Sequence, residues 1–299
     1  MVTPAARRAS AEYLVKERGL SQRRAARLMV VARGTLRYRR RRDEAGEALG
    51  RRMRELATRK VGYGFRRVEK LLRREGVRDN RKRLYRIWKL EGLSLKRRRR
   101  RRRAQPSTEV VRKARYPDHV WTYDFIEDKT RTGSRIRMLN ILDEYTREYL
   151  WVVVERSIKA VQVVAALEWL FARRGVPGYI RSDNGSEFIA DVVKGWLEVN
   201  KVKTIYIEPG HPWENPYVES FHDKMRKECL NANEFETVRE AREVVWQWKR
   251  EYNEYRPHSS LGYKTPLEFA AEAARKPRTT SSAPLQLENQ NVTPTLTVV

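Results

Sequence analysis

Val120-Trp121-Thr122-Tyr123-Asp124-Phe125-Ile126 is an aromatic and β-branched run, the composition of a buried strand, and it carries one carboxylate, Asp124. Two later segments present an acid in different settings. Tyr179-Ile180-Arg181-Ser182-Asp183-Asn184-Gly185 reads as a short strand that ends in a turn dipeptide just after Asp183. In Glu214-Asn215-Pro216-Tyr217-Val218-Glu219-Ser220-Phe221-His222, Asn215 is suited to cap a helix and Pro216 to occupy its first turn, which places Glu219 on that helix. The 35 residues between Asp183 and Glu219 suffice for one helix, one strand and a loop. Acids delivered to one point by two strands and a helix repel one another strongly unless cations lie between them. Such a convergence is the arrangement of a two-metal phosphoryl-transfer site.

The elements around these segments alternate. Residues 120–128, 135–142 and 149–155 read as strands, the first two joined by Thr132-Gly133-Ser134. A helix over 160–173 follows, with Val161, Val164, Leu167 and Leu170 on one face. Then come a strand over 179–182, a helix over 188–200 and a strand over 204–207. Helices are predicted over 216–230 and 235–255, the second with Val238, Ala241, Val245, Trp248 and Tyr252 on its apolar face. Three antiparallel strands, then helix–strand–helix–strand and final helices, predict an α/β fold: a ribonuclease-H-like mixed five-stranded sheet with helices.

Charge is distributed unevenly. Lys and Arg total 65 against 38 Asp and Glu, a net charge of +27. Residues 1–120 hold 40 basic and 12 acidic side chains, and residues 121–299 hold 25 and 26. All of the excess is in the first two-fifths, as expected for a DNA-binding segment joined to a near-neutral catalytic domain. The single cysteine, Cys229, rules out an intrachain disulfide and a Cys-based zinc site. It reads as a core residue, because Glu228 and Asn231 beside it offer no activating cation or base. No signal peptide precedes the fold, and the longest apolar run, Tyr149–Val154, is too short to span a bilayer. The expectation is a cytoplasmic protein with a polyanionic partner and no membrane.

The basic half reads as helical. In residues 1–43, Leu20–Met29 is a capped, alanine-rich helix and Gly34–Tyr38 starts another. The pair is either a helix-turn-helix fragment or a basic hairpin packed on its neighbour. Residues 44–95 read as a small all-α helix-turn-helix DNA-binding domain. Its first helix, 44–59, carries Ala45, Leu49, Met53 and Leu56 on one face, and its second, 65–74, carries Val68, Leu71 and Leu72. Asn80 caps the third, 81–90, with Leu84, Ile87 and Trp88 inward. Arg81, Lys82, Arg83 and Arg86 then face outward, as on a recognition helix in a major groove. An ordinary solvated basic face has the same pattern. Residues 96–115 form an Arg-rich linker. Its run of Arg97, Arg98, Arg99, Arg100, Arg101, Arg102 and Arg103 repels itself, stays extended and can neutralise phosphates without reading sequence. Residues 116–275 form the catalytic core with its C-terminal helix, and the Thr-, Ser-, Pro- and Asn-rich residues 276–299 read as a disordered tail.

Trp121-x-x-Asp124-Phe125, Ser182-Asp183-Asn184-Gly185-Ser186-Glu187-Phe188 and Glu214–His222 together resemble the DDE catalytic core of bacterial insertion-sequence transposases, relatives of retroviral integrases. The larger reading-frame product of the insertion-sequence-three family is the particular match. Val61–Val68 with Asn80–Arg86, and Tyr252–Leu267, resemble the helix-turn-helix ahead of that core and the end of the core. The resemblance covers residues 49–269. It implies a DNA transposase that binds element ends and catalyses metal-dependent phosphodiester cleavage and strand transfer. Asp124, Asp183 and Glu219 would be both the catalytic residues and the ligands of two Mg2+ or Mn2+ ions, hard cations that favour oxygen donors. A two-metal mechanism lets either Asp183 or Asp124 bridge; the resemblance implies Asp124. Arg226, seven residues after Glu219, lies two helical turns along the same face and matches a basic position of the family, implying a DNA contact. Lys224 and Lys227 project from other faces. The implied partners are double-stranded DNA, both element ends and target, further copies of the chain on that DNA, and a possible upstream reading-frame product. The implied location is the bacterial cytoplasm, on the nucleoid.

Other acids have simpler readings. Asp128 lies toward a turn, Asp143 stabilises one with Arg147 as a candidate partner, and Glu187 suits a helix start. His119, His211, His222 and His258 are too scattered to build the His/Cys zinc module of retroviral integrases. A nuclease without joining activity, and a DNA-binding repressor on an inactive fold, are the other classes considered. The DNA-reading segment disfavours the first and the intact acidic set disfavours the second.

Overall fold

The computed structural model describes residues 3–38, 44–95, 113–182, 185, 190–206 and 215–275. The run Arg97–Arg103, Asp183, Glu187 and the tail 276–299 lie outside the described residues. The chain divides into two compact units, 1–52 and 53–299.

In the first unit, α1 (Pro4–Lys16) starts at Thr3, whose hydroxyl accepts the Ala6 N–H, with Pro4 in the first turn. The sequence reading did not include it. Helix α2 (Gln22–Leu28) is capped by Ser21, and α3 is Arg33–Arg37. The three pack on one another around Ala11, Ala25, Ala26 and Leu36. Small side chains here allow close helix approach.

Helix α4 (Glu44–Arg59) runs across the division at residue 52. Its buried stripe is Gly46, Leu49, Gly50, Met53 and Leu56; Ala45, expected on it, is exposed. In the second unit, α5 (Phe65–Arg74) buries Val68 and Leu72, and α6 (Arg81–Leu90) buries Leu84, Ile87 and Trp88. Asn80 caps α6 by accepting the Lys82 N–H at 2.8 Å.

The sheet that follows runs β1 (Val120–Lys129), β2 (Arg135–Asp143), β3 (Tyr149–Glu155), then α7 (Ala160–Arg174), β4 (Tyr179–Ser182), α8 (Asp191–Val199) and β5 (Lys203–Tyr206). Its spatial order is β3-β2-β1-β4-β5. The first three strands are antiparallel, and β4 and β5 join in parallel beyond β1. This is the mixed five-stranded sheet expected of a ribonuclease-H-like fold.

Strand alternation sends residues to two faces. Trp121, Tyr123, Leu139 and Ile141 pack with α7 and α8. Ile126, Ile136, Met138 and Val152 pack on the other face with α9 (Pro216–Glu228) and α10 (Val238–Glu254). The inward residues of α7 are Val163, Ala166, Leu167 and Leu170, whereas Val161, expected among them, is 68% exposed. The helix begins at Ala160, so Val161 lies in its first turn, away from the sheet. A final helix, α11 (Pro266–Arg275), starts with a capping box in which Thr265 and Glu268 bond each other's backbone N–H.

Candidate active site

Asp124 sits on the α9–α10 face of β1, with Thr122 and Ile126 two residues to either side. Its Oδ1 accepts the N–H of Phe125 at 2.7 Å, and its Oδ2 lies 3.6 Å from His222 Nδ1. The side chain is 25% exposed, accessible to solvent at the centre of the sheet.

Helix α9 brings Glu219, His222, Asp223 and Arg226 onto one stripe. Its entry is fixed to β1. The Oδ1 of Asn215, a buried residue, accepts a hydrogen bond from the buried Thr122 hydroxyl at 2.8 Å. Contrary to the expectation from its position, the side chain of Asn215 therefore does not cap the helix; its backbone oxygen accepts the Glu219 N–H instead. Apolar Val218, Phe221 and Met225 hold the opposite face in the core. Glu219 is exposed, and partial desolvation together with the Asp223 carboxylate raises its pKa above the ordinary value. Glu219 and Asp223 therefore repel each other along the stripe.

Of the three acids chosen from sequence, Asp124 and Glu219 are on elements that meet, β1 and α9. Asp183 lies outside the described residues. Ser182, which precedes it, ends β4, and β4 runs parallel beside β1 with Thr122 opposite Arg181. Arg181 is buried and bonds the buried Glu144 at 2.7 Å, which anchors the end of β4.

Sequence reasoning did not assign three neighbours of Asp124. Asn140 stands directly opposite it in the β1–β2 register, fully buried. Asn140 Nδ2 lies 3.0 Å from His222 Nε2, and Tyr149 donates its hydroxyl to Asn140 Oδ1. Helical spacing from Glu219 could have flagged His222. Asn140 and Tyr149 depend on strand register. Burial, with Arg226 adding to it, pulls the His222 pKa down to about 4, so the ring is neutral near pH 7.

Of the acids given simpler readings, Asp143 and Asp128 lie beside turns as expected, and Glu187 lies outside the described residues. Buried Asp143 accepts the N–H groups of Asp118, Tyr145 and Thr146, and burial nonetheless raises it to about 6. The guanidinium of Arg147 lies over the Tyr217 ring, 3.9 Å from its centre, rather than on Asp143. Asp128 accepts the N–H of Lys129. Cys229 is buried, and burial pushes its thiol up to about 12.

Arg226 is exposed, and its Nη2 donates to the Glu127 carbonyl oxygen at 2.8 Å. Lys224 bonds Ser220 and Lys227 bonds Asp223. On α6, Arg81, Lys82 and Arg86 are exposed as expected, and Arg81 also pairs with Glu69 at 3.2 Å. Arg83 is half-buried and bonds Asp79. Arg66, Arg67, Arg81, Lys82, Tyr85 and Tyr263 line a groove of about 700 Å³. Among the described residues, no helix is long and apolar enough to cross a membrane.

Sheet order and the helices packed on its two faces are those of an integrase-type core. Residues 114–212 and 200–266 match two integrase core domain families, and residues 44–102 match an HTH-like domain. The chain is 39% identical to the insertion element IS407 protein of Burkholderia multivorans over 89% of its own length and 94% of the relative's. It is 35% identical to the insertion element IS476 protein of Xanthomonas euvesicatoria, over 90% and 78%. A chain of the simian T-cell lymphotropic virus intasome shares the fold, with a TM-score of 0.50 and 12% identity over 81% of this chain and 80% of that one. The chain belongs to the insertion-sequence-three family of transposases, DDE enzymes with an HTH-like domain ahead of an integrase core. It acts on DNA, and its core family works with divalent metal ions.

Proposed function

We propose that the chain binds the ends of its insertion element and performs both cleavage and joining at Asp124, Asp183 and Glu219. The observation that carries this reading is the meeting of β1, which carries Asp124, with α9, which carries Glu219, while β4 runs parallel to β1 and ends at Ser182, one residue before Asp183. Cleavage breaks one phosphodiester with water and leaves a 3′-hydroxyl. Joining then forms one phosphodiester to that hydroxyl as one target phosphodiester breaks, so no external energy source is needed.

The donor set fits hard divalent cations, since it offers partly exposed carboxylate oxygens beside a neutral imidazole. Two Mg2+ or Mn2+ ions held by Asp124, Asp183 and Glu219 would activate the attacking oxygen and neutralise the phosphate. Asp124 contributes an oxygen from a rigid strand, and Glu219 contributes one from the exposed side of α9. Arg226 places a cation on the same stripe, where a donor-strand phosphate passes.

Arg81, Lys82, Arg83 and Arg86, the groove they adjoin, and Arg97–Arg103 contact the DNA in this reading, within a layout of helix-turn-helix (44–95), linker (96–115) and core (116–275). Arg83 contributes less directly, being engaged by Asp79. Several copies assemble on the element ends in the bacterial cytoplasm, with an upstream reading-frame product as a candidate partner.

Asp183→Asn tests the acidic set. The variant should lose cleavage and joining of labelled element ends with Mg2+ while binding those ends as the parent does, because it removes an anionic ligand and no basic surface. Near-native joining by this variant overturns the assignment.

A further inference from the structure

One carboxylate oxygen of Asp124 is held by a backbone N–H, and the other faces a chain of side chains that spans three strands and a helix. Tyr149 is fully buried, and its hydroxyl donates to Asn140 Oδ1. That bond orients the Asn140 amide so that its nitrogen faces His222 Nε2, 3.0 Å away. An amide nitrogen donates and does not accept, so Nε2 must be the acceptor and the imidazole proton must reside on Nδ1. Nδ1 in turn faces Asp124 Oδ2 at 3.6 Å, too far for a full hydrogen bond but close enough for the N–H dipole to act on the carboxylate. The other oxygen, Oδ1, is held by the Phe125 N–H.

The fold builds this chain deliberately into the sheet. Asn140 is the cross-strand partner of Asp124, so the two share a face by register. An irregularity in the β2–β3 pairing leaves Leu142 opposite Tyr149 and Ile141 opposite Trp151. The extra residue there, Leu150, packs on the α7 face, and Tyr149 turns to the α9 face, where it reaches Asn140. His222 is one turn beyond Glu219 on α9.

We propose that His222 is a positioning residue for Asp124, locked by Tyr149 and Asn140 into the Nδ1–H tautomer so that its N–H dipole fixes the plane of the carboxylate. This rests on the reading of Asp124 as a metal ligand. Partners that orient a ligating group typically contribute on the order of 10- to 100-fold in metal affinity or activity.

The tautomer is read directly by 15N NMR of the full-length, metal-free chain with labelled histidines. His222 should show an unprotonated Nε2 and a protonated Nδ1, and Tyr149→Phe should shift it toward a mixture. His222→Asn can place an amide donor where Nδ1–H was, whereas His222→Gln reaches only the Nε2 position. His222→Gln should lower joining and raise the Mg2+ concentration needed for half-maximal rate about 10- to 100-fold. His222→Asn should recover part of both. A role confined to packing predicts the reverse order, because Gln keeps the bond to Asn140. An Nε2–H tautomer in the parent, or His222→Gln matching the parent in Mg2+ dependence, overturns the proposal. Asp124→Asn separates the two readings. If it joins normally, the ligand assignment has failed; if it is inactive while His222→Gln is normal, only the positioning role has failed.

Discussion

Arg256 donates through Nε and Nη2 to both carboxylate oxygens of Glu228, at 2.6 Å each, and closes the C-terminal end of α9 against the chain that leaves α10. The pair is nearly sealed from solvent, with side chains 1% and 6% exposed. Arg67 of α5 reaches the same carboxylate at 3.4 Å, so the helix-turn-helix segment touches the helix that carries Glu219.

Removing one partner of a buried pair leaves the other charge uncompensated, which typically costs about 3–5 kcal/mol. Glu228→Ala should therefore lose stability of that order in denaturant unfolding. Arg67→Ala removes a longer contact from a side chain that is 23% exposed and should cost about 1 kcal/mol or less. Equal losses in the two variants would show that the Arg67 contact, not the buried Arg256 pair, carries the stabilisation.

Acid should weaken the fold through His258. Its ring is buried, with Nε2 2.8 Å from the Tyr252 hydroxyl, and burial first, then Arg256 and other cations, push its pKa far below the ordinary 6.5. The unfolded chain binds this proton near pH 6.5 and the folded chain does not. The contribution is thus complete above pH 6.5 and is lost as pH falls below it, by up to about 1.4 kcal/mol per pH unit. Burial raises Asp143 and Glu144, which act in the opposite sense over part of this range, so the difference between variants is diagnostic. Between pH 7.5 and 5.0 the parent should lose more stability than His258→Gln. Identical pH dependence of the two melting temperatures would exclude His258 as the cause.

Local signals in the sequence carried far. The cap at Asn80 and the spacing of Leu84, Ile87 and Trp88 define α6 without any tertiary information, and Tyr149–Glu155 and Tyr179–Ser182 are bounded as strands by composition and turns. Thr3-Pro4 and Thr265-Pro266 carry helix-start signals of the same local kind. Val161 shows the limit of periodicity, because an apolar residue in a first helical turn fits the period without facing the core. Asn215 illustrates a tertiary contact overriding a local preference: a buried hydroxyl on β1 takes the oxygen that would have capped α9. The Tyr149–Asn140–His222 chain was not legible at all. It requires the register of two strand pairs and a one-residue irregularity within the β2–β3 pair, neither of which is encoded in local periodicity.

Arg226 offers a test of helix phase at the site. Positions 219 and 226 differ by about 700° of rotation and about 10.5 Å of rise, which returns them to one stripe. The guanidinium is anchored on the Glu127 carbonyl, and the side chain is exposed. Lys224 and Lys227 are engaged within their own helix, on Ser220 and Asp223. Arg226→Ala should weaken binding of the cognate element end and lower joining, while the Mg2+ dependence stays as in the parent. Arg226→Lys should restore part of the activity, since a phosphate contact tolerates a point charge and a bidentate base contact does not. Photocrosslinking from position 226 to labelled donor DNA should succeed where positions 224 and 227 fail. Crosslinks from 224 or 227 without any from 226 would mean that the DNA runs along a different face of α9.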